Sequence, residues 1–318
     1  MGTKSCLHSY CDSAERVVLP TFDTKCASHS AGLPTVSAII PAYNAEKLIH
    51  RAIESALAQT HPMLQILVVD DGSSDGTARV AAQYPVTVIT KPNGGPATAR
   101  NIGIKHATAE WIAFLDHDDT WHPNKTELQL SYVNETVAAV FCEKAPGTEN
   151  ISFKDMFRAN YGGNPSSTII RRSVLEKLGG FDEDPTLVCA EDYNLWLRFM
   201  LEGYRFATTP HCYSYTPADL HLSADAQRML ECELVNIDKI GRLAGLAPEA
   251  IAARKLGLRR RYIPSLIGSR KLRSARKHLL KAGLSLEMVK YWIAAYCPPR
   301  VLDLRRQAVK LLFQSVSE

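Results

Sequence analysis

Two aspartates that follow an apolar run carry the first chemical signal in this sequence. Asp116 and Asp118 come directly after residues 111–115. Two carboxylates at this spacing can share a hard divalent cation that keeps several waters and binds substrate phosphates. Such a cation neutralises the charge of a diphosphate that has to leave. An isolated Asp-x-Asp is more often a solvated acidic loop, but the preceding strand and a second acidic pair upstream favour a functional site.

Two other acidic pairs have competing interpretations. Asp70 and Asp71 follow an apolar run, where a carboxylate can accept hydrogen bonds from a nucleobase imide or a ribose hydroxyl. Asp, Gly and Ser are also the residues of tight turns, so we expect Asp71 to be functional and the loop to be shaped by Gly72, Ser73, Asp75 and Gly76. Glu191 and Asp192 open a predicted helix, whose dipole stabilises acids. The functional interpretation of this pair is a general base that faces the crevice from the other side.

Two more side chains suit a nucleotide. Tyr43 follows the first predicted strand, and its ring can stack on a base or pack beside the first helix. Arg100 lies on the helix after the Asn93-Gly94-Gly95 loop, and its planar guanidinium suits phosphate oxygens, although most arginines lie on solvated surfaces.

Strands and helices alternate at short intervals around these residues. Apolar runs predict strands over 36–40, 65–69, 86–90 and 111–115, and helical spacing predicts helices near 49–57, 77–84 and 96–107. This alternation favours a parallel sheet with helices on both faces. Ligands bind beyond the carboxyl ends of such strands, so the four loops should converge on one crevice. Further strands are predicted over 137–142 and 167–171, and a helix over 191–201.

The sequence divides into four predicted regions. Residues 1–34 form an irregular extension, residues 35–125 hold the alternating strands and helices, and this rhythm changes in residues 126–222. Residues 223–318 form a basic helical region interrupted at Pro248, at Pro264 and at Pro298-Pro299.

Composition excludes several classes of protein. Apolar residues make up 46% and charged residues 22% of the 318, which argues against disorder. No apolar run approaches the roughly 18 residues of a membrane span, and no secretory signal is expected. The eight cysteines form no C-x-x-C pair, so neither a disulfide framework nor a zinc site is expected and a reducing cytoplasm is the default.

Charge is distributed unevenly along the chain. Residues 251–318 hold 16 Lys or Arg and 3 acids, a balance of +13, so the rest of the chain carries −9. This asymmetry predicts an anionic partner for the basic region. An amphipathic basic helix can lie on an anionic membrane. The alternative is that these helices pack on the catalytic body and leave a solvated basic face.

Several motifs in series resemble one family. Residues 36–44 (VSAIIPAYN) and 68–77 (VVDDGSSDGT) look like the opening of a family 2 glycosyltransferase with the GT-A fold. The match continues in the same order through residues 93–101 and 114–119, and residues 179–183 and 191–196 resemble the acceptor half. The resemblance covers about residues 35–210. It implies that residues 35–125 are the nucleotide-sugar-binding half and residues 126–222 the acceptor-binding half of the domain. It implies a Rossmann-like, doubly wound α/β domain with a mixed sheet, here followed by a helical C-terminal extension.

The resemblance implies inverting transfer of a sugar from a nucleotide-diphospho-sugar to a hydroxyl of a glycan or lipid-linked acceptor. Mg or Mn would be the cofactor. The setting would be polysaccharide or glycolipid synthesis in the cytoplasm, with peripheral contact at the inner face of the plasma membrane. The implied donor-site residues are Pro41, Tyr43 and Asp71 at the nucleoside, Arg100 near the nucleotide, Asp116 at ribose or metal, and Asp118 at the metal.

Asp192 would be the catalytic base by this resemblance, with Glu191 beside it. The sequence departs from the family at one point, because Thr216 stands where many relatives have a histidine that contacts metal or phosphate. His211 or His221 are the candidate replacements.

Three other functions remain open at this point. Asp116-x-Asp118-x-Thr120 fits the nucleophile motif of haloacid dehalogenase-type phosphatases, but three strand–loop units precede it. A non-catalytic nucleotide-sugar-binding subunit and a sugar nucleotidyltransferase are the other two. No P-loop or dinucleotide fingerprint occurs.

Overall fold

The computed structural model describes residues 15–18, 32–142, 151–210, 213–214, 225–283 and 286–296. The strands are β1 (Arg16–Val18), β2 (Val36–Ala42), β3 (Gln65–Asp70), β4 (Thr87–Thr90), β5 (Trp111–Phe114), β6 (Thr120–Trp121), β7 (Val137–Cys142), β8 (Thr168–Arg171), β9 (Arg205–Thr209) and β10 (Tyr213–Ser214). The helices are α1 (Ile49–Leu57), α2 (Thr77–Ala81), α3 (Pro96–His106), α4 (Lys125–Leu130), α5 (Phe153–Arg158), α6 (Arg172–Leu178), α7 (Glu191–Leu201), α8 (Ala226–Leu243), α9 (Pro248–Gly268), α10 (Leu272–Ala282) and α11 (Leu286–Tyr296). Short 3-10 turns span Pro165–Ser167 and Pro185–Leu187.

One mixed sheet of eight strands dominates the first part of the chain, in the order β1-β4-β3-β2-β5-β8-β7-β9. The four central strands β4, β3, β2 and β5 run parallel, as the alternating pattern predicts. Beyond them β8 is antiparallel to both β5 and β7, and β9 is parallel to β7. All seven residues of β2 are buried, as expected for a strand covered on both faces.

The strand order reverses at β2. The chain moves outward from β2 to β3 and β4 on one side, and then returns to place β5 on the other side. In open α/β sheets such a reversal leaves a crevice beyond the carboxyl ends of the two flanking strands. The ends of β2 and β5 therefore define where a ligand site is expected.

The structure corrects three expectations from the sequence. Residues 1–34 were expected to be irregular, but β1 pairs antiparallel with β4, with Val17 opposite Ile89. Cys142 is disulfide-bonded, although the cysteine spacing predicts no disulfide framework. Pro264 lies inside α9 and does not end the helix, whereas Pro248 begins α9, where its missing N–H costs nothing.

Two compact units make up the chain. The first comprises Met1–Pro185 and Leu195–Thr216, and the second comprises Thr186–Asn194 and Pro217–Glu318. Within the first unit, β5 and β8 are hydrogen-bonded neighbours, so the predicted halves 35–125 and 126–222 share one sheet. In the second unit, α9, α10 and α11 enclose a small apolar core that includes Ile263, Leu279 and Met288. None of the helices in the described ranges is long and apolar enough to span a membrane.

Candidate active site

Two contacts fix Asp116 just after β5, one to its carboxylate and one to its backbone. Arg100 Nη2 donates a 2.8 Å hydrogen bond to Asp116 Oδ1, and the Asp116 backbone N–H donates to Ser166 Oγ at 3.0 Å. Arg100 is only 4% exposed, and its guanidinium lies 5.2 Å from the Phe181 ring centroid. The Asp116 side chain keeps 26% of its surface exposed. A held but accessible carboxylate suits a ligand for a cation or a ribose hydroxyl.

The turn that carries Asp116 and Asp118 is closed and attached to β2. The Asp119 backbone N–H donates to the Asp116 carbonyl at 3.0 Å. His117 Nδ1 lies 3.3 Å from the Pro41 carbonyl, which joins the ends of β5 and β2 at the strand-order reversal. Asp118 is half-buried on the same turn. His117 therefore links two predicted site segments.

The Asp71 carboxylate is engaged by protein donors on both oxygens. Oδ1 accepts from Lys91 Nζ and from the Gly94 N–H, and Oδ2 accepts from the Gly95 N–H at 2.7 Å and from Asn93 Nδ2 at 3.2 Å. Asp71 is 3% exposed. A carboxylate has about four lone-pair sites, so these donors use its full capacity. Asp71 therefore holds the 91–95 loop at the crevice.

Tyr43 presents its ring to solvent at the end of β2, with 48% of its surface exposed, while Pro41 is buried. The adjacent Asn44 is bound to the turn after β3, because its N–H donates to Ser73 Oγ and its Oδ1 accepts from the Ser74 N–H, both at 2.9 Å. The two serines therefore join the loop after β2, next to Tyr43, to the turn after β3.

A buried polar network behind the Asp116 turn was not predicted from the sequence. Trp121 Nε1 donates to the Ser166 carbonyl at 2.8 Å, and Gln129 Nε2 donates to the Ser167 carbonyl at 2.9 Å. Lys125 is fully buried, donates to Gln129 Oε1 at 2.7 Å and lies 4.3 Å above the Trp121 ring. Burial holds the pKa of Lys125 well below its usual value. The network fixes the Pro165–Ser167 turn and, through Ser166, the Asp116 backbone.

Glu191 and Asp192 begin α7 and belong to the second compact unit. Asp192 Oδ1 accepts a 2.6 Å hydrogen bond from the Tyr193 N–H, and Asp192 is half-buried, while Glu191 is 7% exposed. Asn194 is fully buried and donates from Nδ2 to Asn236 Oδ1 at 2.9 Å. Burial raises the pKa of Tyr193, whose hydroxyl hydrogen-bonds Arg254. The first turn of α7 is therefore tied to α8 and α9.

A family model described as Glycosyl transferase family 2 matches residues 37–201, just over half of the chain. The chain belongs to glycosyl transferase family 2. Two curated relatives are similar in sequence to about half of this chain. An uncharacterised glycosyltransferase of Rickettsia typhi is 35% identical over 193 residues, covering 52% of this chain and 59% of the relative. The Escherichia coli β-1,3-glucosyltransferase WfgD is 32% identical over 188 residues, covering 53% of this chain and 70% of the relative.

Solved structures that align with this chain confirm the predicted GT-A fold, a mixed α/β domain followed by helices. Staphylococcus aureus TarS 1–349 in complex with UDP-GlcNAc aligns with a TM-score of 0.58 at 20% identity, covering 82% of this chain and 79% of TarS. The mannosyltransferase PcManGT from Pyrobaculum calidifontis, in complex with GDP-Man and Mn2+, aligns with a TM-score of 0.58 at 24% identity. The alignment covers 89% of this chain and 81% of PcManGT.

The structure places some of the family's candidate residues together and leaves others outside the described ranges. Pro41, Arg100 and Asp116 are connected through direct contacts and through His117, and Asp118 shares their turn. Of the remaining candidates, His211, His221 and Thr216 lie outside the described residues. Within the described ranges, no group of three or more His, Cys, Asp or Glu side chains is placed to hold a metal ion.

Proposed function

We propose that this chain transfers a sugar from a nucleotide-diphospho-sugar to a hydroxyl of a glycan or lipid-linked acceptor, with inversion at the anomeric carbon. The observation that carries the proposal is Asp116 at the strand-order reversal, where Arg100 holds its carboxylate and Ser166 holds its backbone N–H, while the adjacent His117 contacts the Pro41 carbonyl. WfgD is named for UDP-Glc and a GlcNAc-diphosphoundecaprenol acceptor, which supports a lipid-linked acceptor for this chain as well. TarS and PcManGT were solved with UDP-GlcNAc and GDP-Man, which supports a donor of this class.

The donor nucleoside is proposed to lie between the Tyr43 ring and the loops after β3 and β4. Tyr43 offers an exposed face for stacking on a base. Asp71 contributes by fixing the 91–95 loop, and it can accept a bond from the nucleoside only in exchange for one of its four protein donors. Arg100 acts near the nucleotide by keeping the Asp116 carboxylate in one orientation.

A divalent cation, Mg or Mn, fits the residues of the turn. Asp116 and Asp118 offer carboxylate oxygens, the ligands that hard cations prefer, and two carboxylates leave coordination positions for water and phosphate oxygens. PcManGT was solved with Mn2+, which supports the same class of ion here. When bound, the cation would supply positive charge for the diphosphate leaving group.

Asp192 is the proposed base that takes the proton from the acceptor hydroxyl. Its carboxylate stands at the first turn of α7, which the Asn194–Asn236 bond holds in place. In an inverting transfer the base and the leaving group act on opposite faces of the anomeric carbon. Holding both substrates in line supplies much of the rate.

The basic region 251–318 is proposed to contact an anionic membrane. The protein is proposed to act at the cytoplasmic face of the inner membrane, in polysaccharide or glycolipid synthesis. The balance of +13 in this region supports the contact. The phosphatase alternative loses its main support, because the strand that ends at Asp116 belongs to a family 2 glycosyltransferase fold.

Paired variants test the assigned roles. We expect Asp118→Ala to abolish Mn-dependent donor use, and Asp192→Asn to bind donor normally while transfer falls by about 10²–10⁴-fold. The measurements are donor binding by calorimetry and transfer from labelled UDP-Glc, UDP-GlcNAc and GDP-Man to a synthetic GlcNAc-diphospholipid. Glu135→Gln, at an exposed residue of the first unit, is the matched control and should behave as wild type.

Three outcomes would contradict the proposal. Normal transfer by both variants would remove the roles given to Asp118 and Asp192. Tight donor binding with no turnover, unchanged in Asp192→Asn, would indicate a non-catalytic nucleotide-sugar-binding subunit. Hydrolysis of a free sugar phosphate without any acceptor would restore the phosphatase.

A further inference from the structure

The outer face of α10 combines cations with an exposed leucine. Its exposed side chains are Arg273, Lys277, Leu280 and Lys281, and this spacing places them on one side of the helix. Leu280 is 68% exposed. The opposite side of α10, including Leu279, is buried in the small apolar core of the second unit.

The outer face of α11 also exposes apolar side chains to solvent, and more of them than α10 does. Val289, Ile293 and Tyr296 recur at helical spacing and are 41%, 61% and 53% exposed. The two helices are attached to each other, because Arg276 Nε donates to the Ala295 carbonyl at 2.9 Å and its guanidinium lies 4.6 Å from the Tyr296 ring centroid. The exposed side chains therefore lie on two helices in direct contact, and together they are called the α10–α11 surface of the second unit.

This surface is strongly basic. Residues 270–296 contain seven Lys or Arg and one acid, a balance of +6. Arg273, Lys277 and Lys281 form no ion pair with any residue in the described ranges. Other cations of the second unit are paired, for example Lys271 with Asp225 at 2.5 Å. The surface thus keeps cations available next to apolar side chains.

We propose that this surface, formed by Lys277, Leu280, Lys281, Val289, Ile293 and Tyr296, lies on an anionic lipid bilayer. The apolar side chains enter the boundary between headgroups and acyl chains, and the lysines bind lipid phosphates, as amphipathic basic helices do. A second copy of this chain is a poor occupant, because pairing two such surfaces brings like charges together. The inference deepens the membrane contact of the proposed function by assigning it to two helix faces.

Vesicle binding of the full chain tests the proposal independently of sugar transfer. We expect sedimentation with vesicles of phosphatidylglycerol and phosphatidylcholine, little with phosphatidylcholine alone, and weaker binding at about 0.5 M salt. The double variant Leu280→Ser/Ile293→Ser should lower the partition coefficient at least about tenfold. Leu243→Ser is the matched control, because Leu243 is 65% exposed at the end of α8 and outside the surface.

Variants that remove charge measure the electrostatic contribution to vesicle binding. Lys277→Gln/Lys281→Gln should weaken binding to anionic vesicles several-fold. Lys105→Gln/Lys154→Gln, at two exposed residues of the first unit, should not. Circular dichroism and the melting temperature verify that every variant is folded.

Four results would overturn the inference: no vesicle binding by the wild type, equal binding to neutral vesicles, undiminished binding by Leu280→Ser/Ile293→Ser, or a dimer in ultracentrifugation that this variant dissociates. The last result would assign the surface to a second copy. Failure of the proposed function is distinguishable, because vesicle binding with no sugar transfer from any donor would leave the surface assigned and the transferase proposal wrong.

Discussion

The Asp116–Arg100 pair illustrates how a single buried cation sets the orientation of a site carboxylate. The Arg100 side chain is 5% exposed and the Asp116 side chain is 26% exposed, so the bond is screened little on the arginine side. Hydrogen bonds to charged groups contribute about 1.5–3 kcal/mol. A lysine keeps the charge but loses the planar guanidinium and its fixed donor geometry.

We therefore predict that Arg100→Lys raises the Mn concentration for half-maximal transfer by roughly tenfold to a hundredfold, because Asp116 is no longer held. The measurement is a Mn titration of transfer from the donor that the wild type uses. Arg79→Lys is the control, because the Arg79–Glu46 pair is exposed on both sides and contributes little. An unchanged Mn requirement in Arg100→Lys would show that Asp116 does not depend on this contact.

At the scale of single elements, α10 carries a buried histidine that links stability to pH. His278 is 4% exposed, and neither ring nitrogen has a hydrogen-bond partner within the described residues. Burial lowers the pKa of His278 below its usual 6.5, and Arg259, Lys277 and Lys281 add to this effect, while Glu231 opposes it. The unfolded chain therefore takes up this proton at a higher pH than the folded protein does, and stability decreases as the pH falls below the usual value.

We predict that the melting temperature falls between about pH 8 and about pH 5.5, and that the fall is smaller in His278→Leu, which cannot titrate. Replacing His278 with leucine breaks no hydrogen bond, because His278 makes none within the described ranges. Scanning calorimetry at the two pH values, on both proteins, gives the difference. An equal fall in both proteins would assign the pH dependence to other groups.

Across the whole molecule, the sequence predicts the strands and helices that have a regular apolar pattern over neighbouring residues. Apolar runs locate β3, β5 and β7 almost to the residue, and their ends indicate one crevice. Ser166 was missed because residues 143–167 contain no regular period, and nothing in a sequence shows that a serine accepts a bond from a residue 50 positions away. Lys125 and Gln129 have the spacing of a solvated helix face, so their burial was not predictable. The partner of Arg100 was missed for the same reason.

Donor binding should raise the stability of the whole chain by mass action. At a donor concentration of about a hundred times Kd the gain is about 2.7 kcal/mol, which corresponds to several degrees in the melting temperature. We predict this rise for one class of nucleotide-diphospho-sugar, larger with Mn than without in the wild type, and not increased by Mn in Asp118→Ala. A thermal-shift panel of UDP- and GDP-sugars measures it. Equal shifts with and without Mn would argue against a shared cation.

The three-residue β1 has a consequence for the behaviour of the protein in concentrated solution. It occupies the outer side of β4, with Arg16 opposite Thr90 and Val18 opposite Val88. Without it, the row of amide and carbonyl groups on that side would be open to any passing extended peptide, including the same strand of another molecule. This short strand therefore protects the edge of β4 from pairing with another molecule. Deleting the residues before residue 19 would expose that edge and favour aggregation.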